Sequence, residues 1–85
     1  MTTRDAFLGG TLTLVQPASG FRAGVDSVML AAAVPARAGE RVLELGSGAG
    51  VAALCLARRV EGVAVTGLEI QADLAALAAE NAAAN

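Results

Sequence analysis

The chain contains no histidine, no tryptophan and no tyrosine, and only one cysteine. Lacking histidine, it offers no plausible zinc site, and a single thiol excludes an internal disulfide. Such sparse cysteine usage fits a reducing cytoplasm. Aromatics are limited to two phenylalanines, so no base-stacking platform can be built from this segment. Long apolar runs are also missing: no span approaches the roughly 18 consecutive apolar residues of a membrane helix. The run from Val28 to Val34 is short and too far from the N-terminus for a secretory signal, so it reads as a buried helix. Neither charge sign dominates. Six basic and eight acidic residues give a net charge of −2, which argues against a broad nucleic-acid-binding surface but leaves room for a local basic patch. At 85 residues the chain is small for a domain.

What is present is concentrated in Arg41-Val42-Leu43-Glu44-Leu45-Gly46-Ser47-Gly48-Ala49-Gly50. This stretch predicts a short strand that runs into a glycine-rich turn, with an Ala/Leu-rich helix after it. Glycine lets the backbone approach a ligand closely, because no Cβ stands in the way. The free N–H groups of the first helical turn carry partial positive charge, which suits a phosphate and suits a ligand carboxylate equally well. A dinucleotide fingerprint, G-x-G-x-x-G/A, would need a small residue at position 51, and that position is Val51. Here the glycines alternate instead, at 46, 48 and 50. A second strand, Val63 to Glu69, ends in an acid about 20 residues past the turn, the distance at which a carboxylate reaches ribose hydroxyls.

The remaining pattern is compact. Residues 11–16 alternate polar and apolar, as in a half-exposed strand. Residues 17–20 are turn chemistry, and Phe21-Arg22 is expected to begin a return strand that makes a hairpin. Asp26 is expected to cap a helix over about 27–34 that Pro35 ends. In the helix after the glycine turn, Val51, Leu54 and Cys55 share a face. Cys55 reads as a small core residue, and nothing nearby would activate it as a nucleophile. Arg58-Arg59 complements a helix C-terminus, with contact to a nucleic-acid backbone as the alternative. Gly62 closes that helix, and a last helix places Leu74, Leu77, Ala78 and Asn81 on one face. The order is hairpin, helix, β, α, β, α. Two parallel strands cannot complete a doubly wound sheet, so the chain reads as cut short.

Acid-x-Gly-x-Gly-x-Gly resembles motif I of the S-adenosylmethionine-dependent methyltransferases. Four further stretches sharpen that resemblance: Asp5 to Gly10, Leu14 to Pro17, the run Gly20-Phe21-Arg22-Ala23-Gly24-Val25-Asp26-Ser27-Val28-Met29-Leu30-Ala31-Ala32, and Gly67-Leu68-Glu69-Ile70. Together they resemble the bacterial tRNA(Val) adenine-N6 methyltransferase family across nearly the whole chain. The resemblance implies an α/β fold, the N-terminal part of a Rossmann-like methyltransferase, with helices on both faces of a parallel sheet. Residues 1–34 would form the hairpin and helix, and 35–85 the cofactor-binding half. It implies S-adenosyl-L-methionine as cofactor, with Gly46, Ser47, Gly48 and Gly50 along its methionine part. Glu44 would sit behind the turn near the ammonium group, Glu69 would bond both ribose hydroxyls, and Ile70 would pack on the adenine. Arg22, Gly24 and Asp26 match the segment lying across the cofactor from motif I.

The family also carries Asn-Pro-Pro-Tyr or Asn-Pro-Pro-Phe after its fourth strand, a loop that holds the target amine. The only prolines here are Pro17 and Pro35, so no catalytic residue is assigned. The expectation is a cytoplasmic, tRNA-modifying enzyme's cofactor half, inactive alone. It needs no metal or membrane and is prone to self-association through an open strand edge. A dinucleotide-binding oxidoreductase fragment and a non-catalytic interaction remnant are the alternatives.

Overall fold

The computed structural model describes all residues, 1–85. The elements run β1 (Thr2–Phe7), a 3₁₀ turn (Leu8–Gly10), β2 (Leu12–Pro17), α1 (Val25–Ala33), β3 (Arg41–Leu45), α2 (Val51–Arg59), β4 (Ala64–Leu68) and α3 (Ala72–Ala84). They form an α/β structure with two separate two-stranded sheets, β1–β2 antiparallel and β3–β4 parallel.

A hairpin is present, but its partner strand precedes residue 11 instead of following residue 20. Thr2 pairs with Pro17 and Phe7 with Leu12. The chain reverses through Leu8, Gly9 and Gly10, all at positive φ, a region glycine enters without steric penalty. Phe21 and Arg22, expected as the return strand, lie in a bend, with Phe21 exposed. The helix that follows also starts earlier than expected. Gly24 occupies the N-cap position and Asp26 lies in the first turn, where its Oδ1 accepts the Gly24 N–H at 3.0 Å. Asp26 therefore reaches back over the helix start without being its cap, and its charge still suits the positive end of the helix. Val34 is extended, the conformation imposed by the following Pro35.

Strands β3 and β4 pair in parallel from Arg41 opposite Ala64 to Leu45 opposite Leu68. Side-chain alternation turns Val42 and Glu44 toward the helices and Leu43 and Leu45 to the open face, where Leu45 is 74% exposed. Helix α2 covers the other face. The core joins hairpin and helices: Leu12 and Leu14 from β2, Ala31 from α1, and Val51, Cys55 and Leu56 from α2, with Val42 and Val65 packed against them. Cys55 is the small core residue expected, and burial pushes its thiol pKa up. Leu74 and Asn81 form the buried face of α3, with Leu77 and Ala78 half-buried beside them. Arg59 complements a helix C-terminus, though that of α1: its Nη2 donates to the carbonyls of Ala31 and Val34. Its guanidinium thereby ties the end of α2 to the end of α1. No helix is long and apolar enough to cross a membrane.

Leu14 is 0% exposed at the centre of this core. Leu14→Ala is expected to lower stability by about 2–5 kcal/mol, through lost burial plus the cavity left behind. Urea denaturation followed by circular dichroism measures it.

Candidate cofactor cleft

The glycine turn between β3 and α2 is built on three left-handed residues, Gly46 (φ 73°), Gly48 (φ 57°) and Gly50 (φ 93°). Its first two amides are spent on the neighbouring strand: Gly46 N–H and Ser47 N–H both donate to the Leu68 carbonyl, at 2.8 and 3.0 Å. Gly48 N–H donates to Glu69 Oε1 at 2.7 Å, and Gln71 N–H to Glu69 Oε2 at 3.0 Å. One carboxylate thus links the two loops at the C-terminal ends of the parallel strands. Ser47 lies against Gly67, where any Cβ would fall 2.6 Å from its Oγ. A Cβ at Gly46 or Gly48 would meet open space, whereas one at Gly50 would press on Ala78 at 3.4 Å. Gly46 therefore faces a space a ligand can enter, Gly48 stands open beside Glu69, and Gly50 lets α2 pack against α3.

That space is a cleft of about 240 Å³. Gly46, Ser47 and Glu44 line one side, and Asp26 and Ser27 at the start of α1 line the other. Glu44 Oε1 is buried and has no hydrogen-bond partner in the protein. Burial pushes the Glu44 carboxyl above its ordinary 4.5, opposed by the Ala53 backbone N–H in the first turn of α2. Two carboxyl groups, one with an unpartnered oxygen, favour a cationic group in the cleft.

The expected site residues divide into three sets. Glu44, Gly46, Ser47 and Asp26 meet in this cleft. Gly50 and Glu69 line a neighbouring groove of about 310 Å³ between α2 and α3, which Ser47 also borders. Gly48 joins that set through its bond to Glu69, and Ile70 stands beside it, 97% exposed. Arg22 and Gly24 line neither. Arg22 is turned onto the hairpin, 3.0 Å from Asp5 and 2.8 Å from Thr3, and also donates to the Pro17 carbonyl. Its guanidinium holds the segment that leads to Asp26. Gln16, part of the family-like stretch but not assigned to the site from sequence, borders the cleft at 2% exposure, with Oε1 accepting Ala23 N–H at 2.8 Å and Nε2 donating to Asp5 at 3.0 Å. The signal was a polar side chain at the end of an alternating strand.

A family model described as Methyltransferase small domain matches residues 18–85. The chain belongs to the methyltransferase small domain family. The resemblance read from its motifs is thus borne out. Among its relatives is the tRNA1(Val) (adenine(37)-N6)-methyltransferase of Enterobacter sp. (strain 638), 36% identical over 81 residues, covering 94% of this chain and 33% of the relative. Proteins of the same name from Erwinia tasmaniensis and Bacteroides fragilis (strain YCH46) are both 42% identical. The first match covers 75% of this chain and 26% of that protein, the second 71% and 25%. The chain therefore spans between a quarter and a third of the length of these relatives.

Two carboxyls give opposite pH signatures. Because burial raises the Glu44 pKa above 4.5, the native state holds that proton more tightly than the unfolded chain; the stability it contributes is complete below pH 4.5 and is lost as pH rises through the raised value. Hydrogen bonds from Thr3 and Gln16, and then the charge of Arg22, hold Asp5 below 3.8, so its contribution is present above that pH and lost as pH falls through the lowered value. Urea titrations from pH 2.5 to 7 are expected to show Glu44→Gln removing the first loss and Asp5→Asn the second.

Proposed function

We propose that this chain is the S-adenosyl-L-methionine-binding part of a methyltransferase acting on an exocyclic amine, with N6 of adenine in tRNA as the target. The observation that carries this reading is the unpartnered, buried Glu44 oxygen beside a turn whose glycines leave open space. The cofactor supplies an electrophilic methyl group on a sulfonium. Around it the residues bind and orient. Glu44 and Asp26 hold the ammonium end by charge. The backbone of Gly46 and Ser47 lies along the methionine part. Glu69 takes the ribose hydroxyls on lone pairs not used by Gly48 and Gln71, and exposed Ile70 packs on the adenine. Gly48 and Gly50 shape the turn. Arg22 and Gly24 set the Asp26 wall without touching the ligand.

In this reading residues 1–34 form one wall of the cleft and 35–85 the other, as a cofactor half of a larger, cytoplasmic, Rossmann-like enzyme. The tRNA names of the relatives support the substrate class. No residue here is given the task of holding the target base, so the isolated chain binds cofactor without transferring methyl groups. It also self-associates, since β3 pairs on one edge only and Leu43, Leu45 and Leu68 stand on an exposed face.

Calorimetry with S-adenosylhomocysteine, and with NAD as control, tests the cofactor class. The former is expected to bind and the latter not; the reverse result would overturn the class. Hydrogen bonds to a charged group are worth roughly 1.5–3 kcal/mol, so Glu69→Ala is expected to weaken binding about ten- to hundredfold. Unchanged affinity would remove Glu69 from the site. Sedimentation of the isolated chain as a clean monomer would refute self-association, and radiolabelled methyl transfer to unmodified tRNA above background would refute inactivity.

A further inference from the structure

Asn81 is 1% exposed on the face of α3 that packs on β2. Every polar atom of its amide is used, and every partner is backbone. Oδ1 accepts Val15 N–H at 2.8 Å, while Nδ2 donates to the Val15 carbonyl at 3.0 Å and the Ala49 carbonyl at 2.9 Å. Ala49 belongs to the glycine turn, immediately before Gly50, the N-cap of α2. A primary amide accepts at one end and donates twice at the other, which is what two carbonyls and one N–H require. One helical turn later Asn85 repeats the pair of bonds to the strand: Oδ1 accepts Thr13 N–H at 3.2 Å and Nδ2 donates to the Thr13 carbonyl at 3.0 Å, while its other donor bond goes back to the Asn81 carbonyl at 2.9 Å. Thr13 and Val15 lie two apart on β2, so their main-chain groups share one edge of the strand. Helix α3 therefore pairs with that edge through two side-chain amides, in the place a third strand would take. Only Asn81 continues from the strand to the turn.

We propose that Asn81 is a positioning residue for the cofactor cleft. By clasping the Ala49 carbonyl to the Val15 carbonyl it sets the glycine turn at a fixed distance from the hairpin. The opposite wall hangs on the adjacent residue of the same strand, because Gln16 holds Ala23 and, through it, the segment that ends in Asp26. Cleft width is thus set by two neighbouring residues of β2, Val15 for the turn and Gln16 for the other wall. The identity of the ligand rests on the function proposed above; the clasp itself does not.

Asn81→Asp and Asn85→Asp form a matched pair. Each keeps an acceptor for a β2 amide and loses donors to backbone carbonyls, but only the first releases the turn. In the ligand-free full chain, the Gly46, Gly48 and Gly50 amide resonances are expected to shift in Asn81→Asp and stay in place in Asn85→Asp. By calorimetry, Asn81→Asp is expected to weaken S-adenosylhomocysteine binding about tenfold or more, and Asn85→Asp to lower the melting temperature with affinity within about twofold. Equal losses of affinity in the two variants, or unmoved turn resonances in Asn81→Asp, would overturn the proposal. Should Asn81→Asp fail to fold, amide exchange in the wild type decides. Saturating S-adenosylhomocysteine is expected to slow exchange at Val15 and not at Thr13, and equal slowing at both would overturn it. A wild type that binds no S-adenosylhomocysteine refutes the cofactor assignment, while the resonance comparison still decides the role of Asn81.

Discussion

The carbonyl of Leu68, at the last residue of β4, accepts hydrogen bonds from two successive amides, those of Gly46 and Ser47. Parallel pairing of the two strands ends at Leu45 and Leu68, and this shared acceptor carries the contact one step further, into the turn. The chain can then leave β3 only by a left-handed path, which glycine supplies at 46, 48 and 50. Glu69, the next residue after the acceptor, reaches forward and takes the Gly48 amide. The end of one strand thereby dictates the shape of the loop on the other, and α2 starts where that shape directs it.

The hairpin is the second support. It contributes Leu12 and Leu14 to the core, yet its larger role is to anchor polar side chains from distant parts of the chain. Arg22 and Gln16 fasten the approach to α1 on one side, and Asn81 and Asn85 fasten α3 on the other. On the α3 side the partners on the hairpin are main-chain groups of Val15 and Thr13, so that contact does not depend on flexible surface side chains, whereas Arg22 and Gln16 also work through the side chain of Asp5. Buried polar groups with all bonds made hold a unique arrangement, since any displacement leaves a donor or acceptor unsatisfied in a dry environment.

Features that depend on local pattern were legible in the sequence. Strand β3, the glycine turn, the apolar face of α2 and the inward face of α3, Asn81 included, follow from periodicity and turn chemistry alone. Strand β4 was placed with one extra residue at each end, the ordinary fraying of element boundaries. The hairpin partner was missed because Thr2–Phe7 carries Arg4 and Asp5 in its middle, which weakens the alternation. Its turn was missed because Gly9-Gly10 follows Leu8, a residue that rarely takes positive φ. The inward direction of Glu44 does not follow from pattern, because apolar Leu43 and Leu45 flank it; the apolar side chains lie on the exposed face and the acid inside. Arg22 and Asp26 were read as site residues from their position in a motif. Whether a charged side chain meets a ligand or a neighbouring strand is decided by tertiary contacts, here Asp5 and Thr3 for Arg22.

Gly67 has an ordinary strand conformation, and its constraint comes from Ser47 alone, whose Oγ and Cβ would lie 2.6 and 2.7 Å from any added β-carbon. Positions 47 and 67 are therefore not independent in sequence space. Because the Ser47 Cβ as well as its hydroxyl stands in the way, rotating the hydroxyl alone makes no room: a side chain at 67 requires the loop that carries Ser47 to move off β4 or to lose bulk. The absence of a side chain on the second strand thus sets how closely the glycine loop lies against it.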